Sequence, residues 1–209
     1  MKFGLKVLVG LTFTAAAALG AASAAQAQAI PYPTPGVVNP LTYTVTPTGG
    51  TVTFTFYSSD ASDSDYVGLF QNGVQLTDTI SGNQWVLENH STSQGTQATF
   101  NVTAGQPVVL AEWNATTSTQ FFSIPGLNPD GDQHAYLAAV SAGQLFTASP
   151  AGYYVGWEDL TAAQSGDFDY NDTQIIVSGV LATPGPVPGT GVVGLALLAL
   201  YGAFQLRRA

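Results

Sequence analysis

Cysteine is absent from this chain, and Lys2, Lys6, Arg207 and Arg208 are its only basic residues. Without a thiol, no disulfide can staple the fold, so stability must come from burial or from a bound ion. All 13 carboxylates fall between Asp60 and Asp172, so the formal charge of −9 divides into an acidic body and four terminal cations. A body without Lys or Arg repels phosphate, which excludes nucleic acid as a partner. It also has nothing cationic to clamp an oxyanion. His90 and His134 are the only bases suited to neutral pH, and His90 sits in the polar turn Asn89-His90-Ser91. Catalytic machinery is therefore thin, and a non-catalytic protein is expected.

The terminal cations flank apolar stretches. Residues 1–29 read as a signal peptide: Lys2 and Lys6 precede an apolar run over residues 7–19. Small-residue cleavage sites follow at Ala22-Ser23-Ala24, Ala25-Gln26-Ala27 and Ala27-Gln28-Ala29, the pattern of an exported precursor. The run is short for a membrane anchor and ends in Ala and Gln, not in a stop-transfer pattern.

At the other end, residues 183–191 form a Pro/Gly hinge (Thr-Pro-Gly-Pro-Val-Pro-Gly-Thr-Gly). Residues 192–209 follow as an apolar segment closed by Arg207 and Arg208. With no polar face, this segment is expected to be a transmembrane helix held on the cytoplasmic side by its arginines. A short motif, a hydrophobic helix and a terminal Arg pair resemble the PEP-CTERM sorting signals of exported bacterial proteins. That resemblance implies processing by an exosortase-type enzyme in a polysaccharide-secreting bacterium. The family's Pro-Glu-Pro is replaced here by Val187-Pro188-Gly189-Thr190-Gly191, which also resembles the Leu-Pro-x-Thr-Gly signal of sortases, so a sortase is the alternative partner. On either resemblance the product is exported to the cell surface or extracellular matrix, after transient anchoring in the inner membrane.

Residues 30–182 are long enough for one domain with its own core, and their pattern is β throughout. Residues 41–46 and 51–57 alternate apolar residues with Thr, which places Val52, Phe54 and Phe56 on one face of a strand. Gly49-Gly50 between these runs reads as a hairpin turn, and Asn72-Gly73, within the strand-like stretch 66–80, as a type I′ turn. Further strands are expected at 85–88, 98–102, 108–113, 120–124, 136–140, 144–147, 153–157 and 173–177. Neither an amphipathic helix nor an internal repeat is present. The expected fold is a single antiparallel β-sandwich, jelly-roll-like or immunoglobulin-like.

The densest chemistry lies in Gly156-Trp157-Glu158-Asp159-Leu160 and Gly166-Asp167-Phe168-Asp169-Tyr170-Asn171-Asp172. Carboxylates this crowded repel one another, and a hard divalent cation with about 6–8 oxygen ligands is the usual remedy. In an extended stretch Asp167, Asp169 and Asn171 would face one side while Phe168 and Tyr170 anchor on the other. The loop is not an EF-hand, because Asp172 stands where that motif needs Gly and Ser178 where it needs Glu. The alternative is a solvated acidic loop, against which the embedded aromatics argue. The two strings resemble an uncharacterised family of extracellular bacterial domains found in PEP-CTERM proteins and calcium-dependent adhesins, over residues 133–180 and including His134-Ala135. The resemblance implies a calcium (Ca2+) site formed by Glu158, Asp159, Asp167, Asp169, Asn171 and Asp172.

Two weaker clusters, Asp60–Asp65 and Asn128–Asp132, are ordinary turn chemistry that could also supply ligands or approach the main site. Trp85, Trp113, Trp157, Tyr153 and Tyr154 are candidates for stacking on extracellular polysaccharide, although most large rings in a disulfide-free sandwich serve its core. Glu158 with Asp167 is the carboxylate pair that a glycoside hydrolase reading would use.

Overall fold

Strands alternating apolar and polar residues leave one face to be buried, and here eleven of them divide into two antiparallel sheets. The computed structural model describes residues 30–185. The expected export signal at 1–29 and the sorting tail from residue 186 onward lie outside the described residues. In chain order the strands are β1 (Tyr43–Pro47), β2 (Thr51–Ser58), β3 (Asp65–Gln71), β4 (Val74–Gln75), β5 (Gln97–Asn101) and β6 (Val108–Asn114). They continue with β7 (Thr119–Phe122), β8 (Ala135–Val140), β9 (Gly152–Trp157), β10 (Gln174–Ser178) and β11 (Val180–Pro184). One sheet runs β11-β1-β6-β3-β4, with β7 also on β6; the other runs β5-β2-β10-β9-β8. Helical structure among the described residues is limited to two three-residue 3-10 turns, Pro125–Leu127 and Ala162–Gln164.

The core lies between the sheets. Val45, Val67, Leu69 and Leu110 of the first meet Val52, Phe54, Leu137, Val155, Trp157, Ile175 and Val177 of the second. Val52, Phe54 and Phe56 share the inward face as their period of two requires. A second cluster covers the outer face of β8, β9 and β10, where Tyr136, Tyr154 and Ile176 are roofed by Tyr32, Phe168 and Tyr170. These strands are therefore buried on both faces.

Several connections differ from expectation. Asn72 and Gly73 both adopt the left-handed backbone (φ 54° and 75°) that a type I′ hairpin demands. Gly49-Gly50 forms no hairpin: neither glycine has positive φ, and the chain crosses there from one sheet to the other. Residues 85–88 contribute only one bridge, Val86 to Val67, because Leu87 turns left-handed (φ 56°) and breaks the extended run. Residues 144–147 are a turn closed by Gly143 N–H and Ser149 N–H, which donate to Ser149 O and Phe146 O. β11, unforeseen, pairs with β1 from Val180 to Pro184. As an edge strand it tolerates Pro184, and the sandwich reaches into the expected hinge.

Candidate metal centre

Where β9 ends, two pairings fix the acidic motif. Trp157 N–H donates to Thr173 O at 3.0 Å, and Glu158 N–H donates to His134 O at 3.0 Å. Asp172 N–H returns to Trp157 O at 3.2 Å, and its carboxylate accepts from Asp159 N–H at 3.0 Å. The β9–β10 connection thus brings Glu158, Asp159, Asp167, Asp169, Asn171 and Asp172 together at one end of the sandwich. Oxygens of Glu158, Asp167 and Asp169 lie within 4.8 Å of one another, and so do those of Glu158, Asp159 and Asp172. Asn171 donates its side-chain amide to Asp169 at 2.6 Å.

The loop is not the extended stretch that alternation suggested. Phe168 and Tyr170 are left-handed (φ 50° and 59°), which costs on the order of 1–3 kcal/mol each for a bulky residue. Asp169 and Asn171 N–H donate back to the carboxylates of Asp167 (3.3 Å) and Asp169 (3.1 Å), the side-chain turns that favour Asp at such positions. The expected sidedness survives, because both rings are buried in the outer cluster. Tyr170 Oη donates to Gln133 O and accepts from Asn39 N–H, both at 2.7 Å. The motif's glycines are needed for close approach. A Cβ at Gly166 would stand 2.5 Å from Leu160 O and 2.7 Å from the Glu158 carboxylate, and one at Gly156 would collide with Tyr170 O.

Two residues outside the motif complete the centre. On β6, Val108, Leu110 and Glu112 share the inward face, and on β3 so do Asp65, Val67 and Leu69. Asp65 and Glu112 are 0 % exposed; among the described residues Asp65 Oδ1 and both Glu112 carboxylate oxygens lack a well-formed hydrogen bond, and the Thr173 hydroxyl lies beside Glu112. The signal was legible as a charge at an apolar register position of each strand. Asn89 Nδ2 donates to Asp65 Oδ2 at 3.1 Å, and Asn114 Nδ2 links Asp63 Oδ2 (2.8 Å) to the Asp159 backbone oxygen (3.1 Å). The Asp60–Asp65 loop becomes the opposite wall: Asp60, Ala61 and Ser62 face Glu158, Asp159 and Asp167 across a cleft of about 200 Å³. His134 takes no place among the carboxylates. Its ring stacks on Phe121 at 4.0 Å, with Nδ1 on Glu158 O at 2.8 Å and Nε2 on Asp130.

Burial raises these carboxyls, and their neighbours raise them further. Glu158 is pushed up to about 9 by burial and then by Asp172 and Asp167. Asp172 reaches about 8 by burial and then Asp159. Asp159 reaches about 7 by burial and then Asp65; burial takes Asp65 to about 7 against the lowering effect of its hydrogen bond with Asp159. Asp169 is raised by burial and by Asp167. Glu112 is held well above the ordinary range by burial and then by Asp65, Asp159 and Asp172. Such a cluster either retains protons or takes up a cation.

The family described as "Domain of unknown function (DUF4114)" matches residues 70–179, more than half of the 209-residue chain. The chain belongs to this family. The match runs from the end of β3 to the turn after β10, so the DUF4114 region contains Glu112 and the whole acidic motif, whereas Asp60–Asp65 lies outside it. No curated protein and no solved structure matches the chain.

Proposed function

We propose that this is a non-catalytic, exported protein of the cell surface or extracellular matrix, whose two-sheet fold is stabilised by calcium. One observation carries the reading: Asp65, Glu112, Glu158 and Asp159 are all at most 3 % exposed, and the body has no Lys or Arg to pair with them. Uncompensated buried charge is strongly unfavourable, and an oxygen-only donor set suits a hard divalent ion. Calcium also agrees with an extracellular site that opens to solvent through Asp167. The non-catalytic reading is supported by His134, which is buried with both ring nitrogens engaged. Export and sorting rest on the terminal sequences, with an exosortase-type enzyme, or alternatively a sortase, as the processing partner.

Differential scanning calorimetry of the full chain in calcium and in chelator tests the ion. At calcium a hundredfold above Kd, mass action adds about 2.7 kcal/mol, which for a domain of this size raises Tm by roughly 5–11 °C. An unchanged Tm at millimolar calcium would refute the proposal.

A second reading, recognition of neutral extracellular polysaccharide, is favoured by a row of rings on the outer face of β3, β6 and β7. Tyr66, Trp113, Trp85, Phe70 and Phe122 form a continuous chain with centroid spacings of 5.6–6.2 Å, each ring partly exposed. Trp85 packs against Gly68, where a Cβ would stand 2.8 Å from its ring. Partly exposed aromatic rings suit the apolar faces of sugars, and the absence of Lys and Arg from the body selects against anionic ones. Trp157 and Tyr154 are excluded, since both are buried in the two cores.

A further inference from the structure

We infer that the centre takes two divalent cations bridged by Glu158, the inner one seated against the opposite sheet; the inference rests on the calcium reading above. The two oxygen groups, Glu158 with Asp167 and Asp169, and Glu158 with Asp159 and Asp172, have only Glu158 in common. Oxygens around one calcium ion, each about 2.3–2.6 Å from it, stand at most roughly 5 Å apart. Each group therefore frames one ion position. The outer position is open to solvent through exposed Asp167, and the inner one is walled by buried Glu158 and Asp159.

An outer ion alone leaves the inner charge unanswered. Asp65 and Asp159 interact side chain to side chain, and Glu112 lies within electrostatic reach of Asp65, Asp159 and Asp172. Among the described residues, Glu158 Oε2, Asp65 Oδ1 and both Glu112 oxygens are buried without a well-formed hydrogen bond. Four of the five inner carboxylates (Asp65, Glu112, Glu158 and Asp159) are at most 3 % exposed. His134, the one ionisable cation near the centre among the described residues, is already engaged by Asp130 and by a backbone carbonyl. A second divalent ion answers this charge where it is densest. Glu158, Asp159 and Asp172 supply its oxygens, and Asp65 and Glu112 act as a second layer of negative charge.

The consequence is mechanical as well as electrostatic. Asp65 and Glu112 belong to β3 and β6 of one sheet, whereas the ligands belong to the β9–β10 connection of the other. The inner ion ties the two sheets together at one end of the sandwich, a task that disulfides perform in other exported domains.

Calcium titration by isothermal calorimetry on the chelator-stripped full chain decides the matter. The wild type should take up two ions per chain, Asp169→Asn should retain only the inner ion, and Glu158→Gln should bind neither tightly. Glu112→Gln should weaken the inner ion at least about tenfold and leave the outer one unchanged; Asp65→Asn, which keeps its bond to Asn89, serves as a second inner variant. A wild-type stoichiometry of one, whichever variant removes it, would overturn the two-ion centre and leave the calcium reading standing. Failure to take up any calcium would overturn both.

Discussion

Replacing Glu112 by Gln should stabilise the ion-free protein and weaken the calcium-loaded one, so that a single substitution changes sign with the ion. The side chains are nearly isosteric, hence no cavity or overpacking term intrudes. Glu112 is wholly buried beside Asp65, Asp159 and Asp172, and its folded-state pKa lies well above the unfolded one. Between those two values the folded state holds more protons than the unfolded state. The stability due to this group is therefore complete below the ordinary carboxyl range and is lost as pH rises toward the folded value. While Glu112 keeps its proton, each pH unit above that range costs about 1.4 kcal/mol. Gln lacks this dependence, because an amide carries no titrating proton in this range. In chelator, the gap between variant and wild type should widen as pH rises from the ordinary carboxyl range toward the folded-state value of Glu112. Each such pH unit corresponds to roughly 3–6 °C in Tm. In saturating calcium the order should reverse, because the inner ion loses a compensating charge. Calorimetric scans of both proteins at about pH 5 and about pH 8, with and without calcium, supply the four numbers needed. A wild type that is the more stable of the two in chelator at about pH 8, or a gap that does not change with pH, would refute the reasoning.

Other outcomes follow from the same geometry. The ion-free wild type should lose Tm as pH rises, because Asp65 and Asp159 ionise near 7, Asp172 near 8 and Glu158 near 9; calcium should displace those protons and flatten the profile. A Tm in chelator that rises over this window would contradict the burial of these groups. Phe168→Ala removes the ring that pins the acidic loop and should destabilise by about 3 kcal/mol or more, with weaker calcium binding by titration. Retention of wild-type calcium affinity would show that the loop needs no anchor. Trp113→Ala breaks the outer aromatic row and should abolish any retention on neutral polysaccharide in affinity electrophoresis while leaving the calcium-induced Tm shift intact. Mass spectrometry of the exported product should find neither residues 1–29 nor Arg208; an intact Arg208 would contradict processing ahead of the helix.

Much of the fold was legible because strand periodicity is local. Thr51–Ser58, Val108–Asn114 and the Asn72-Gly73 turn declare themselves through alternation and through backbone that only a few residue types adopt. Which strands pair is not local, and so Gly49-Gly50 looked like a hairpin while the chain in fact changed sheets there. β11 was hidden because Val180–Pro184 runs into a Pro-rich segment and owes its strand state to pairing with β1.

The centre divides in the same way. Glu158, Asp159 and the Asp167–Asp172 run are adjacent in sequence, and their mutual repulsion without any Lys or Arg already called for a cation. Glu112 is separated from Glu158 by more than forty residues, and nothing near it in the chain marks it beyond its place on the apolar side of a strand. Only the packing of β3 and β6 against the β9–β10 connection brings Asp65 and Glu112 behind the motif, out of reach of water. The amino-acid sequence determined that this body is β-rich, acidic and without charge partners of its own. Tertiary structure decided where the charge concentrates, because burial and Coulomb repulsion depend on distances that chain order does not contain.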